Sequence, residues 1–227
     1  VEDLERHRRI DVLADGRVIV YLKVIETMRA RLPVPACAFV TGPFTMAGLM
    51  MGAGAMVMNV MVQPGLCHAA LELATDVAVR YARGLVEAGA DSIMVLDPSA
   101  VMVGPDHYRE FAGAYCARLI EELTGVEVIL HICGDTGHLL EAMVATGAAG
   151  LSVDHLMDLD QVAEAIGPEM LIIGNVDPAL ILHESAETVA ENARRALASA
   201  AGHEMFILST GCDLPQDVPE ENIDAFM

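Results

Sequence analysis

Tryptophan is absent, and aromatic residues make up only 4% of the 227 residues. The core therefore has to be aliphatic, with 14 methionines to fill it. Basic residues are also scarce: 13 Lys and Arg against 33 Asp and Glu leave a formal charge of −20. A nucleic-acid binder needs a basic footprint, so that class is excluded. The same balance works against attraction to an anionic membrane surface. No Cys-x-x-Cys pair occurs, and the five cysteines (Cys37, Cys67, Cys116, Cys133, Cys212) are odd in number and widely spread. This is no disulfide framework, and the reduced cytoplasm is the expected compartment. The opening "VEDLERHRRIDVL" lacks the apolar stretch of a signal peptide. The chain starts on Val1, as a piece of a longer protein would. No Gly-rich dinucleotide fingerprint, P-loop, internal repeat or low-complexity tract is present.

Long apolar runs are missing with one exception. "MAGLMMGAGAMVMNVMV" (46–62) carries Asn59 as its single polar residue. Its length is near the lower limit for a membrane span. It contains three glycines and has no flanking basic cluster. A buried or partner-covered helix, and no membrane span, is the expected reading.

The sequence has a hydrophobic content of 54%, ample for a large core. Strand-like runs fall at 36–40, 92–96, 127–132, 149–153, 170–174 and 205–209. Amphipathic helices are expected at 72–89, 105–124, 137–147 and 187–200, with Gly89, Gly125, Gly147 and Gly202 as C-terminal caps. Apolar strands separated by helices imply a parallel sheet covered on both faces. Six such strands fit either a barrel missing two strands or a doubly wound sheet. Each strand ends in a polar or small cluster: "TGP", "DPSA", "HICGD", "VDH", "GNVDP" and "STGCD". Parallel α/β folds build their sites at those carboxyl ends.

Within "LHICGDTGH" (130–138), His131 and Cys133 are two residues apart and so face one side of an extended strand. Cys212, after the last strand in "LSTGCDLP", ends on the same side of the sheet. A His-Cys-Cys set leaves the fourth tetrahedral position open, as catalytic zinc sites do. The alternative is that Cys133 and Cys212 are buried small apolar residues and His131 a hydrogen-bonded mouth residue. Spacing alone leaves these two level. Asp97 is an acid at a strand end or a cap for the next turn. Asp154 and His155 could touch a substrate or orient a ligand. Asn175 is a turn residue or a donor to a ligand. Asp177 reads first as the N-cap of a short helix opened by Pro178. Asn175 and Asp177 are the candidates for cofactor binding. Asp135 and Thr136 suit caps, His138 suits the surface, and Cys37, Cys67 and Cys116 suit the core.

Taken together, "TGPFT", "HICGDT", "GLSVDH", "GNVDP" and "STGCDLP…VPEENI" resemble the uroporphyrinogen decarboxylase superfamily. Within it they look most like the methylcobamide:coenzyme M methyltransferase branch. "GNVDP" marks the superfamily, and the His-x-Cys pair with the later Gly-Cys marks the methyltransferases. The resemblance runs from about Pro35 to the C-terminus. It implies a (β/α)8 TIM barrel with zinc held by His131, Cys133 and Cys212. It implies a methyl-corrinoid as co-substrate, a thiol such as coenzyme M as acceptor, and a corrinoid protein as the delivering partner. Asp97 and Asp154 then become the catalytic candidates, for proton acceptance or ligand exchange. The family's first two barrel strands have no counterpart here, and its final helix is cut short after "ENIDAFM". The expectation is one incomplete barrel domain over 1–227, with 1–34 a helical segment leading into it. Its open edges would favour a homo-oligomer. Two alternatives remain. One is a uroporphyrinogen-type decarboxylase acting on a tetrapyrrole polycarboxylate, which should need an arginine-lined pocket. The other is a non-catalytic corrinoid-binding barrel, which need hold no zinc.

Overall fold

The computed structural model describes residues 9–227; the first eight residues of the expected N-terminal helical segment lie outside them. Six strands form one sheet in sequential order. They are β1 (Cys37–Thr41), β2 (Ser92–Leu96), β3 (Glu127–Ile132), β4 (Gly150–Val153), β5 (Leu171–Val176) and β6 (Phe206–Thr210). Every neighbouring pair is parallel. Strand order following chain order, with a helical crossover each time, is how a (β/α) barrel grows. Among the described residues β1 and β6 remain edges.

The period of two along each strand sorts the side chains. Ala38, Val40, Ile93, Val95, Val128, Leu130, Leu151, Val153 and Ile172 point to one face and are buried. That face is covered by helices, foremost Pro64–Glu87, which buries Leu71, Ala74, Ala78 and Leu85. Among the described residues the opposite face carries no second helical layer. On its outer strands Phe39 and Ile207 are 53% and 51% exposed. The expectation of two covered faces therefore holds for one face only. The other is the inner wall of a barrel, which in this fold is filled by side chains from opposing strands and not by helices.

Several local expectations change. The apolar run 46–62 is not one helix. It splits into Pro43–Met51 and Ala53–Val62, bent by 102° across Gly52, whose φ of +89° suits glycine. Leu49, Met58 and Met61 on this pair are largely exposed. Among the described residues no single helix is long and apolar enough to cross a membrane, although this bent pair passes by length and composition together. The helix expected over 105–124 contains a π-helical turn, Tyr108–Gly113, between Pro105–His107 and Ala114–Glu122. The helix expected over 137–147 is reduced to a 3-10 turn, Gly137–Leu139, and one turn of α-helix, Leu140–Val144. Gly89, Gly125 and Gly147 have the positive φ expected of caps, but Gly202 does not. The helix Ala186–Ser199 ends at Ala200, whose N–H closes on Ala196.

Candidate metal centre

The inner wall positions the site. His131 is the last inward-facing residue of β3 and stands in register with Ser152 on β4. It is 5% exposed. Its Nδ1 lies 3.0 Å from the Ser152 carbonyl oxygen and 3.1 Å from Ser152 Oγ. A carbonyl can only accept, so Nδ1 carries the proton and Nε2 keeps a free lone pair. Nε2 lies 3.2 Å from Cys133 Sγ.

Cys212 reaches the same point from the loop after β6, with its Sγ 3.6 Å from Cys133 Sγ. Gly211 makes that approach possible. A Cβ there would sit 2.3 Å from the His155 amide nitrogen and 3.0 Å from Asp154 backbone carbon. The Gly211 N–H donates to the Val176 carbonyl at 2.8 Å, and Thr210 Oγ1 donates to the Cys212 carbonyl at 2.6 Å. The ligand atoms of His131, Cys133 and Cys212 all lie within 4.8 Å of one another. Zinc bonds of about 2.0–2.3 Å in tetrahedral geometry put ligand atoms about 3.3–3.8 Å apart. The 3.2 and 3.6 Å separations lie close to that range, so the donor set could hold a metal ion with one position left over.

The protonation states follow from burial. Loss of water holds the His131 imidazole below its ordinary pKa, against the raising effects of Ser152, Asp154 and Asp213. Burial pushes the Cys133 thiol up, and the Cys212 thiol, Asp154 and Asp213 add to it. The imidazole and the Cys133 thiol are thus held toward their neutral forms, and a cation binding there would displace a thiol proton.

The carboxylates divide. Asp154, 5% exposed, accepts from the Gly134 N–H at 2.8 Å through Oδ2, and from the Leu156 N–H at 3.0 Å through Oδ1. His155 Nδ1 lies 2.9 Å from the same Oδ1. Asp154 thus fastens the residue that follows Cys133. Asp97 is 1% exposed and turned the other way. Its carboxylate accepts from the Thr45 and Phe44 N–H groups at 2.6 and 3.4 Å, at the start of helix Pro43–Met51. Burial pushes its pKa up to about 6, against those hydrogen bonds. The cavity at the mouth is lined by its neighbours Leu96 and Pro98. The catalytic reading of Asp97 therefore loses its geometric basis, because the strand-end position was right but the side chain points at a helix.

Asn175 lies within β5, not in a turn, and its Nδ2 donates to the carbonyls of Asp154 and Met157 at 3.0 and 2.7 Å. Asp177 caps helix Pro178–His183 through the Ala179 N–H at 2.8 Å. Both also border a shallow outer depression with His155 and Arg195. Asp135 accepts from the Gly137 N–H, and Thr136 is buried against Met157 sulfur. His138 is exposed, Cys67 and Cys116 are buried, and Cys37 is half-buried on β1.

Three residues of the site were not singled out from the sequence. Ser152 is the lone polar residue inside an apolar strand and shares a face with Asp154, which is the signal that could have found it. Gly211 and Asp213 flank Cys212 in "GCD", but nothing local distinguishes them from ordinary loop residues. Asp213 lines the cavity of about 450 Å3 that opens at the three ligands.

Known proteins resemble this chain in sequence and in fold. The family model described as "Uroporphyrinogen decarboxylase (URO-D)" matches residues 1–227. A methylcobamide:CoM methyltransferase, MtbA, of Methanosarcina acetivorans is 31% identical over 98% of this chain and 66% of its own length. A uroporphyrinogen decarboxylase of Serratia proteamaculans is 30% identical over 91% of this chain and 62% of its own length. The solved structure of a methyltransferase from Methanosarcina mazei superposes with a TM-score of 0.87 at 29% identity, covering 94% of this chain and 64% of that one. The chain thus spans just under two thirds of the length of these relatives.

Proposed function

The chain belongs to the uroporphyrinogen decarboxylase (URO-D) family, and from that premise we propose that it moves a methyl group from a methyl-corrinoid to a thiol, with zinc held by His131, Cys133 and Cys212. The observation that carries the reading is the convergence of these three ligand atoms within 4.8 Å at the strand ends. A decarboxylase acting on a polycarboxylate has no use for two thiols beside an imidazole, and a non-catalytic corrinoid binder needs no such cluster. The acceptor is of the coenzyme M kind, the thiol in the name of the Methanosarcina acetivorans relative. A corrinoid protein would deliver the methyl group. Five free thiols suit the reduced cytoplasm.

When bound, zinc supplies the Lewis acidity that lets a thiol, with a free pKa of about 8.5, lose its proton near neutral pH. The chain's own residues do the rest. Ser152 fixes the His131 tautomer so that Nε2 faces the cluster. Asp154 holds the turn after Cys133, and Gly211 brings Cys212 alongside. Phe39, Met94 and Leu96 give the cavity an apolar wall that keeps water from the sulfur and seats the alkyl part of the thiol. The sulfur then bonds to the methyl carbon as the carbon–cobalt bond breaks, both electrons staying with the corrinoid. Asp154 is a positioning residue in this scheme, and Asp97 belongs to the fold.

Metal analysis of the full-length protein, then an assay with methylcobalamin and a panel of thiols, tests the reading. Near-stoichiometric zinc and chelator-sensitive methylation of at least one thiol are expected. Zinc-free protein with full methylation, or decarboxylation of uroporphyrinogen with no methyl transfer, would overturn it.

A further inference from the structure

Thr136 is fully buried in the turn that follows Cys133. Its backbone N–H and its hydroxyl both donate to one atom, the thioether sulfur of Met157, at 3.2 and 3.5 Å. Among the described residues no other acceptor meets either donor. A thioether is a weak acceptor. It is nevertheless apolar enough to bury, and its long unbranched stem reaches from one turn to the next. Met157 is itself held. Its N–H donates to the Asp154 carbonyl at 3.0 Å, which closes the turn 154–157. Asn175 on β5 donates through Nδ2 to the Asp154 and Met157 carbonyls at 3.0 and 2.7 Å. This turn also backs the loop of Cys212, where Gly211 lies too close to the His155 amide for a Cβ to fit. The turn 154–157 therefore stands against both cysteine-bearing loops. It grips the Cys133 side twice, through Asp154 at Gly134 and through Met157 at Thr136.

We propose that Met157 is a positioning residue for Cys133: its sulfur fixes the turn that carries this thiol. Asn175, weighed from the sequence as a cofactor contact, serves the same end by holding Met157 in place. The consequence for metal binding rests on the zinc reading of the site, whereas the hold on the turn needs no metal. With the sulfur gone, two buried donors of Thr136 lose their acceptor. The turn then finds other arrangements, and Cys133 no longer meets His131 and Cys212 in one fixed geometry.

The test uses the full-length protein and Met157→Leu, a swap that keeps volume and apolarity but removes the acceptor. Met143→Leu, the same swap at a fully buried core methionine, is the control. In metal-free protein, amide hydrogen exchange at Thr136 should be about tenfold faster in Met157→Leu and unchanged in Met143→Leu. Competition with a chelator of known affinity should show zinc bound about tenfold more weakly in Met157→Leu alone. A wild-type measurement covers the case in which Met157→Leu does not fold. There the Thr136 amide should exchange about a hundredfold more slowly than that of exposed Asp135. Equal exchange at these two amides, unchanged exchange in Met157→Leu, or a zinc affinity in Met157→Leu that matches Met143→Leu overturns the proposal. A wild type that binds no zinc would sink the functional reading instead, and exchange at Thr136 would still decide whether Met157 holds the turn.

Discussion

Asp97 and Asp154 leave the same sheet at the same end, and both are almost fully buried. Asp97 leans outward and caps the first turn of Pro43–Met51. Asp154 leans across the mouth and fastens Gly134, next to Cys133. One corner holds the fold and the other holds the site. A carboxylate at a strand end is thus a statement about location. What the carboxylate does depends on which orphan N–H groups the neighbouring loop presents. After β1 these belong to a helix N-terminus; after β3 they belong to the turn beyond a proposed ligand.

The deepest cut on the site side is Cys212→Ala. Methyl transfer should be abolished and zinc content should fall to near zero, while circular dichroism and the unfolding midpoint stay close to wild type. Cys212 sits in a loop and contributes little packing, so its loss removes a ligand and not a core. Should zinc and thiol methylation persist, Cys212 is an ordinary loop cysteine and the site corner has no metal to hold.

On the fold side the largest effect belongs to Asp97→Ala. It orphans two buried N–H groups and should destabilise the protein by about 2–4 kcal/mol, with zinc still stoichiometric in the folded fraction. pH sharpens the contrast. The folded pKa of Asp97 is raised from 3.8 to about 6, so the folded state holds a proton that the unfolded chain releases. The contribution of Asp97 is therefore fully present below pH 3.8 and is lost as pH rises through about 6. The gap between wild type and Asp97→Ala in denaturant unfolding should narrow by up to about 3 kcal/mol across that window. A gap that widens instead would mean that the carboxylate is stabilised as an anion by its helix N-terminus more than it is penalised by burial.

These two corners also mark what the sequence revealed. All six strands were legible within about two residues, because apolar runs of five or six bounded by Gly and Asp leave little choice of register. The meeting of His131, Cys133 and Cys212 was legible because it needs only the two-residue strand period and a shared sheet end. The direction of Asp97 was not, since a side chain leaving a strand end can turn to either side. The bend at Gly52 was missed because the run 46–62 is apolar on both sides of it and offers no change of pattern. Ser152 was missed for a different reason. Its partner is set by the register between β3 and β4, a tertiary quantity that neither strand carries alone.

Asp154→Asn is a smaller change. The amide keeps an acceptor for one N–H but replaces the other with a donor, so the Gly134 or the Leu156 hydrogen bond is lost. Zinc affinity should drop about 10–100-fold, as outer partners of metal ligands typically cost, with stability within about 1–2 kcal/mol of wild type. Competition with a chelator of known affinity measures the first and denaturant unfolding the second. A loss of stability like that of Asp97→Ala, with unchanged zinc affinity, would collapse the distinction between the two corners.

The smallest effect is expected at Ser152→Ala. His131 Nδ1 faces two acceptors on this residue, the carbonyl oxygen at 3.0 Å and Oγ at 3.1 Å. One ring N–H cannot donate fully to both, and the substitution removes only the hydroxyl. The carbonyl stays where β4 places it, in register with His131, so the tautomer that frees Nε2 is retained. Zinc affinity should fall only a few-fold, less than in Asp154→Asn, because an orienting bond survives. An equal or greater loss in Ser152→Ala would show that Oγ is the true acceptor and that the strand backbone alone does not set the ring. The site corner would then depend on a side-chain network, and its contrast with the backbone-capping role of Asp97 would be sharper still.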